Sequence, residues 1–396
     1  MGAATAYYLS RRGVTATVVD RAGVAAAASG KAGGFLAADW SDPPVAGLAA
    51  ASFALHAELA ATLGAAAVDY RRLSATAVGL SPSAAATARA DATDGGRGRR
   101  RGRRRRGAPP SPPPPLPPRH APSWLDGDAW AVVSARPLGT PATTAQVHPA
   151  KLTRALLAAS GATLTRAAVT GVATAADGSV TGVLLDGGAE TLPCGRLVIA
   201  TGPWADRAVA WLPAAGLPPV WGTKAHSVVY PRPGGEVYVC GFAEPPAAVP
   251  DDPAAVVPTA GACERLVAFA GELTGRLRSG GGGDSDSAGG DGDGDGDGGD
   301  SDGDGDGQGP AGGGVAPPPP PPPPVHQACC LPVSPDGVPL IGWLPGTGDT
   351  VAITTGHSCW GILLGPASGL AVAQLIVDGV AAVVDLTPFS PSRFCS

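Results

Sequence analysis

The chain has 396 residues, 59 of them Gly and 43 Pro, with a formal net charge of −5. That length exceeds the roughly 250 to 300 residues at which single cores stop growing, so two packed units are expected. The seven cysteines, at 194, 240, 263, 329, 330, 359 and 395, include no CxxC pair, which argues against a disulfide scaffold or zinc ribbon and predicts no metal site.

Taken in order, the small residues from Gly2 to Arg12 predict a helix ended by Gly13, and Val14 to Val19 a short β-branched strand closed by Asp20. The chain as written opens on a helix already under way, with no secretory or transit signature, and a cytoplasmic location is expected. A loop of small residues, Ala25 to Gly34, leads to a helix over Leu48 to Leu63 and a strand over Thr76 to Leu80. His56 and Glu58 interrupt the Ala-rich stretch from Val45 to Ala67; no apolar run reaches the roughly 18 residues of a membrane span, and none is expected.

Residues 91–122 run through GGRGRRRGRRRRG into SPPPPLPP, without the apolar groups that would offset the entropy of ordering, and are read as a disordered insertion. The block from Arg97 to Arg106 attracts polyanions in principle, but it has no interleaved aromatics, so no specific nucleic-acid partner is expected.

Globular sequence resumes at Trp124. A helix is predicted over Pro149 to Ala159, ending at Gly161, with strands at Val169 to Val172, Ser179 to Leu185, Arg196 to Ala200, Ser227 to Tyr230 and Glu236 to Gly241. A helix over Cys263 to Leu277 precedes a second insertion, 279–324, made of a Gly/Asp repeat and then polyproline. The last part, 325–396, holds a glycine-rich turn and a helix near Gly369 to Val377.

A dinucleotide-binding βαβ unit needs a tight glycine turn, a helix N-terminus aimed at the pyrophosphate and an acidic residue ending the second strand. Gly2 matches the third glycine of that pattern and Asp20 follows 18 residues on; the first strand and first two glycines are absent from the chain as written. Further motifs accompany this fragment. They are Ala28-Ser29-Gly30-Lys31-Ala32-Gly33-Gly34, Val147-His148-Pro149-Ala150-Lys151-Leu152, Ala200-Thr201-Gly202-Pro203-Trp204 and Pro335-Asp336-Gly337-Val338-Pro339-Leu340-Ile341-Gly342. Gly356-His357-Ser358-Cys359-Trp360-Gly361-Ile362, with Pro366, Ser368 and Gly369, and the stretch from Asp385 to Phe394 complete the series.

In this order the motifs resemble those of the D-amino acid oxidase and glycine/sarcosine oxidase family, everywhere outside the two insertions. The resemblance implies an α/β fold: a Rossmann-like FAD-binding domain lacking its N-terminal strand, and a β-rich substrate domain. The FAD-binding parts would be 1–90, 148–222 and most of 325–396, and the substrate parts 123–147 and 223–278. It implies FAD as cofactor, contacted by Gly2, Asp20, Arg21, Ser29, Gly30, Lys31, Ala32, Gly33, Gly34, Val169, Thr201, Gly202, Trp204, Gly342, Gly361 and Ile362, with His357 and Trp360 on the substrate face as catalytic candidates. His148 and His226 are read as structural.

The implied reaction is oxidation of a carbon–nitrogen bond in a small amine or amino-acid-like substrate by hydride transfer to the flavin. The contrasting expectation is a non-catalytic descendant serving as a binding or membrane-trafficking scaffold. Two departures bear on substrate. Where the family commonly places an Arg or a Lys to grip a carboxylate, this chain has Leu331 and Leu363, so glycine, sarcosine and D-alanine are disfavoured; Lys224 and Arg232 are the candidate replacements. Cys329, seven residues before Asp336, has the spacing at which sarcosine-oxidase relatives attach FAD covalently.

Overall fold

The computed structural model describes residues 1–83, 86–87, 121–232, 235–277 and 322–395, so the two expected insertions lie almost wholly outside the described residues. Small residues open the chain as α1 (Gly2–Ser10), followed by β1 (Thr17–Val19), the single turn α2 (Ala28–Lys31), β2 (Phe35–Ala37) and α3 (Ala46–Leu63). Next come β3 (Arg71–Arg72), β4 (Ala75–Pro82), β5 (Trp130–Gly139), β6 (Thr144–Gln146), α4 (Pro149–Ser160), β7 (Thr163–Thr165), β8 (Val169–Thr174), β9 (Val180–Leu185), β10 (Glu190–Pro193) and β11 (Leu197–Ile199). The remainder is α5 (Arg207–Trp211), β12 (Trp221–Arg232), β13 (Gly235–Gly241), α6 (Ala262–Leu273), β14 (Val325–Val333), β15 (Leu340–Trp343), β16 (Val351–Thr355) and α7 (Gly361–Asp378).

Among the described residues parallel pairing, the mark of an α/β unit, occurs twice: β1 beside β7, and β11 beside β16, with β15 antiparallel on the other side of β16. Helix α1 packs against both α4 and α7. The α1–α7 crossing depends on small residues. A Cβ on Gly369 would lie 2.5 Å from the Ala4 Cβ and 2.8 Å from the Thr5 nitrogen, so only glycine lets the two backbones come this close.

Pro366 sits inside α7 and cannot donate to the Ile362 carbonyl four residues back. Helix α3 repairs the ladder. His56 Nε2 lies 3.0 Å from the Ile362 carbonyl and 3.1 Å from that of Leu363, and the Ala367 N–H turns aside to the Ser52 hydroxyl at 3.0 Å. Ser52 and His56 are one helical turn apart and both buried, so they meet the same stretch of α7. Burial pushes the His56 imidazole down to about 4, which keeps it neutral.

By length and composition α3 and the Ser358–Asp378 stretch are each apolar enough to cross a bilayer, a feature the count of unbroken apolar runs missed. Here they pack on one another, and their Leu48, Phe53, Leu59, Leu363, Leu364 and Val372 join Leu36, Leu152, Ile341 and Phe389 in the largest core cluster. Several elements differ in extent from expectation; β12, expected over Ser227 to Tyr230, runs Trp221–Arg232. The strand over 14–19 is only Thr17–Val19; the helix over 263–277 ends at Leu273 and gives way to a 3-10 turn, Gly275–Leu277; and α7 starts eight residues before Gly369 because the apolar stretch 363–368 is buried against its neighbours.

The longest antiparallel sheet has the order β13–β12–β14. Alternation gives it two distinct faces. Val228, Tyr230 and Val239 cluster with Cys263, Leu266 and Ala270 of α6 on one side. The register Ser227 with Cys240 and Gln327, Ala225 with Cys329, and Val229 with Tyr238 sets those residues on the other. The β4–β5 hairpin is paired to its end, with Pro82 opposite Trp130 and the Ser83 N–H donating to the Ala129 carbonyl at 2.9 Å.

Candidate functional site

Two helix N-termini and the end of one strand converge. A Cβ on Gly2 would sit 3.4 Å from the Ala200 Cβ, so α1 starts where β11 ends. The Met1 side chain reaches across to α7, its methyl 3.8 Å from a Cβ on Gly361 and its sulfur 3.8 Å from one on Gly365. Neither helix has a side-chain cap, and neither has an acidic residue in its first turn. Backbone N–H groups and the positive ends of both helix dipoles are therefore left facing the shared space, which suits an anion. Gly202 borders the same turn at φ +57° with nothing within 4 Å of a Cβ, and the Thr355 hydroxyl pins its carbonyl at 2.7 Å.

Asp20 ends β1 as expected, and its Oδ1 accepts from the N–H groups of Ala22 and Gly23 at 2.9 and 2.7 Å, fixing the turn. Arg21 and Trp204, expected to touch the cofactor, are engaged elsewhere. The Arg21 guanidinium donates to the Asp251 carbonyl at 3.0 Å and the Trp204 indole to that of Pro250 at 2.7 Å. Arg207 adds bonds to the Val249 carbonyl and the Asp251 carboxylate. Residues 249–251 are thus bolted to the ends of both β1 and β11. These donors satisfy loop carbonyls, a use their motif positions do not disclose.

The 28–34 loop is tight. A Cβ on Gly30 would lie 1.9 Å from the Ala25 carbonyl oxygen, and one on Gly34, at φ +69°, would lie 1.8 Å from that of Val147. Both glycines are demanded by the protein's own packing. Gly33 faces the Tyr238 ring, two of whose carbons would be 2.7 Å from a Cβ there. Ser29 and Lys31 are held through their carbonyls by Thr153 and Tyr238, and Ala32 closes the one-turn α2 onto Ala28.

Two expected positions make close internal contacts. His357 is only 2% exposed, its Nε2 lies 3.0 Å from the Ser368 hydroxyl, and burial, then the adjacent chain-start ammonium, pushes its imidazole down to about 3. In this structure it is a buried neutral group turned towards α7. Gly342 is buried within β15 at φ +149°, where a Cβ would lie 3.2 Å from Pro391 Cδ, and is a packing glycine. Trp360 stays at the rim, half-buried at the start of α7, while Ile362 is joined through its carbonyl to His56. Thr201 is exposed in the turn after β11, and Val169 opens β8 opposite Leu185.

Leu363, aligned with the family's lysine, is 1% exposed in the main core; Leu331 stands opposite Thr223 on the sheet face that carries Tyr238. Lys224 lies on the other face, paired with Glu244 at 3.2 Å, and Glu244 also lies 3.5 Å from the buried His226. Cys329 is on the Tyr238 face, and burial pushes its thiol up to about 11. Among the described residues no cluster of His, Cys, Asp and Glu has the makings of a metal site. Sequence reasoning missed Tyr238, Thr355, Ser52 and the 249–251 loop, none of which belongs to a glycine motif.

This donor set fits FAD: the uncapped α1 start for a pyrophosphate, the uncapped α7 start for the ring end, an acidic strand end for ribose hydroxyls, and an open glycine face at Gly202 for close approach. The comparisons agree. A Schizosaccharomyces pombe protein described as an oxidoreductase is 38% identical over 68 residues, a stretch that spans 17% of each chain. Glycine oxidase from Geobacillus kaustophilus superposes with a TM-score of 0.63 at 20% identity, over 99% of this chain and 95% of that one. Iminodiacetate oxidase from Chelativorans sp. BNC1 gives a TM-score of 0.63 at 18% identity, over 98% and 96%. Both structural likenesses are at the level of the fold. The model of the DAO family, FAD dependent oxidoreductase, matches residues 1–375. With the fold, the converging helix starts and that match in agreement, the chain belongs to the DAO family of FAD-dependent oxidoreductases.

Proposed function

We propose that the protein oxidises the carbon–nitrogen bond of a small amine or amino-acid-like molecule. The observation that carries this reading is the meeting of two uncapped helix starts with the Ala200–Gly202 turn beside an antiparallel sheet face, in a chain whose family uses FAD. FAD, when bound, supplies the hydride acceptor. In this reading the protein's residues bind and orient. The α1 N–H groups would hold the pyrophosphate, Asp20 the ribose, and the 28–34 loop with the α7 start at Gly361 and Ile362 the ring end.

The sheet face carrying Ser227, Tyr238, Cys240, Cys329 and Leu331 would then receive the substrate. It offers hydroxyls, thiols and apolar surface. Burial raises the Tyr238 phenol well above its ordinary range, which keeps it a neutral hydrogen-bonding group. Glycine oxidase and iminodiacetate oxidase, to which the fold is similar, support the choice of substrate class.

The test is anaerobic. Purified protein loaded with FAD is mixed with a panel of amines, N-substituted amines and amino acids, and loss of visible flavin absorbance is followed. Bleaching by a member of the panel, reversed by air or an artificial acceptor, is the expected result. Flavin that binds, is reduced by dithionite and stays oxidised with every amine would sink the assignment.

A further inference from the structure

Lys31 stands astride the antiparallel sheet. Its carbonyl accepts from the Tyr238 hydroxyl at 3.1 Å, and its ammonium donates to the Ala328 carbonyl at 3.0 Å. Tyr238 belongs to β13 and Ala328 to β14, the two outer strands, with β12 between them. One residue of the 28–34 loop is thereby tied to both edges of the sheet.

The contact is more than two bonds. Gly33 lies flat against the Tyr238 ring, which no other residue would permit without displacing it. From the other side Gln146 Nε2 donates to the Gly33 carbonyl at 3.2 Å, and the Thr153 hydroxyl to that of Ser29 at 3.4 Å. Within itself the segment has one turn of helix, and Ala25 beside it is held at φ +61°. A single turn is too short to hold its own shape in water, because helix nucleation is unfavourable until further turns add to it. The loop's form is therefore imposed from outside, by the sheet on one side and by Gln146 and α4 on the other.

We propose that Tyr238 and Lys31 are positioning residues for the cofactor: they hold the 28–34 loop ready for FAD, so that the sheet carrying the substrate face also sets part of the FAD affinity. This rests on reading the loop as a flavin contact. Preorganisation is the physical reason, since a loop already ordered does not subtract its ordering cost from binding. The phenol reaches the loop from a sheet position far along the chain.

The experiment uses the full chain and two conservative variants, Tyr238→Phe, which removes only the hydroxyl, and Lys31→Met, which keeps the stem and removes the ammonium. FAD affinity is read by the quenching of flavin fluorescence on binding, loop order by hydrogen exchange over residues 28–34 without FAD, and global stability by the melting temperature of the FAD-free protein. Each variant is expected to weaken FAD binding about five-fold, equivalent to about 1 kcal/mol, and to speed exchange in the loop with the melting temperature unchanged.

Unchanged affinity and exchange in both variants would overturn the proposal. So would a fall in melting temperature that accounts for the loss of affinity, because the residues would then be merely structural. Wild-type protein that binds no FAD would defeat the reading of the site itself. That result comes from the parent titration and is seen apart from the variants.

Discussion

The α1–α7 crossing and the front face of the β13–β12–β14 sheet differ in what they are made of. At the crossing the surface is backbone: glycine and alanine in contact, helix starts without caps, and a proline whose missing N–H is compensated by Ser52 and His56. On the sheet the surface is side chain, displayed by a register that leaves the backbone bonds to the strands. A backbone surface has no adjustable part, so even one added carbon forces elements apart. A side-chain surface absorbs changes of shape through rotamers, so it is where specificity can drift while the fold persists.

The sharpest way to break this contrast is Gly369→Val. Branching at a position where even a Cβ meets Ala4 at 2.5 Å should cost at least about 3 kcal/mol and abolish FAD binding, measured by urea unfolding and flavin titration. A stable, flavin-binding variant would show that the crossing yields. His56→Leu comes next. It leaves the Ile362 and Leu363 carbonyls buried without their donor and should cost about 1–3 kcal/mol in the same assay.

Acid titration extends this to charge. His56 and His357 titrate near 4 and 3 when folded, against 6.5 when unfolded, so protons bind the unfolded chain more readily. Their contribution to stability is complete above 6.5 and lost as pH falls below it, by up to about 1.4 kcal/mol per pH unit for each. His56→Leu should flatten that slope, and an unchanged slope would show that His56 is not a buried neutral group.

On the sheet face, Leu331→Met should cost less than about 1.5 kcal/mol and leave FAD affinity unchanged. Gly47→Ala is the smallest test. This glycine lies in α3 with nothing within 4 Å of a Cβ, so the substitution should stabilise by about 0.5–1 kcal/mol, opposite in sign to Gly369→Val.

The same distinction governs what was legible in the sequence. Gly2, Asp20, Gly202 and Gly361 could be found because a backbone-built site leaves glycines at fixed spacings, and the structure brings Gly2, Gly202 and Gly361 to one junction. Tyr238 could not, because its role depends on strand register and on a loop two hundred residues away. The inward turn of His357 was hidden for a related reason. Its place in the motif gives its position along the chain, but only packing decides that its ring turns inward to Ser368. Arg21 and Trp204 lie in the right turns, yet their donors meet a loop that carries no motif of its own.

The closed β4–β5 hairpin gives the protein a neutral port. Pro82 and Trp130 are paired partners, so the points at which the chain leaves and re-enters this pair of strands lie side by side. Lengthening such a connection costs only about 0.6 kcal/mol per doubling. Lineages can therefore gain or shed sequence here with little selection on stability, and a reporter domain or affinity tag engineered between those strands should leave the cofactor junction undisturbed.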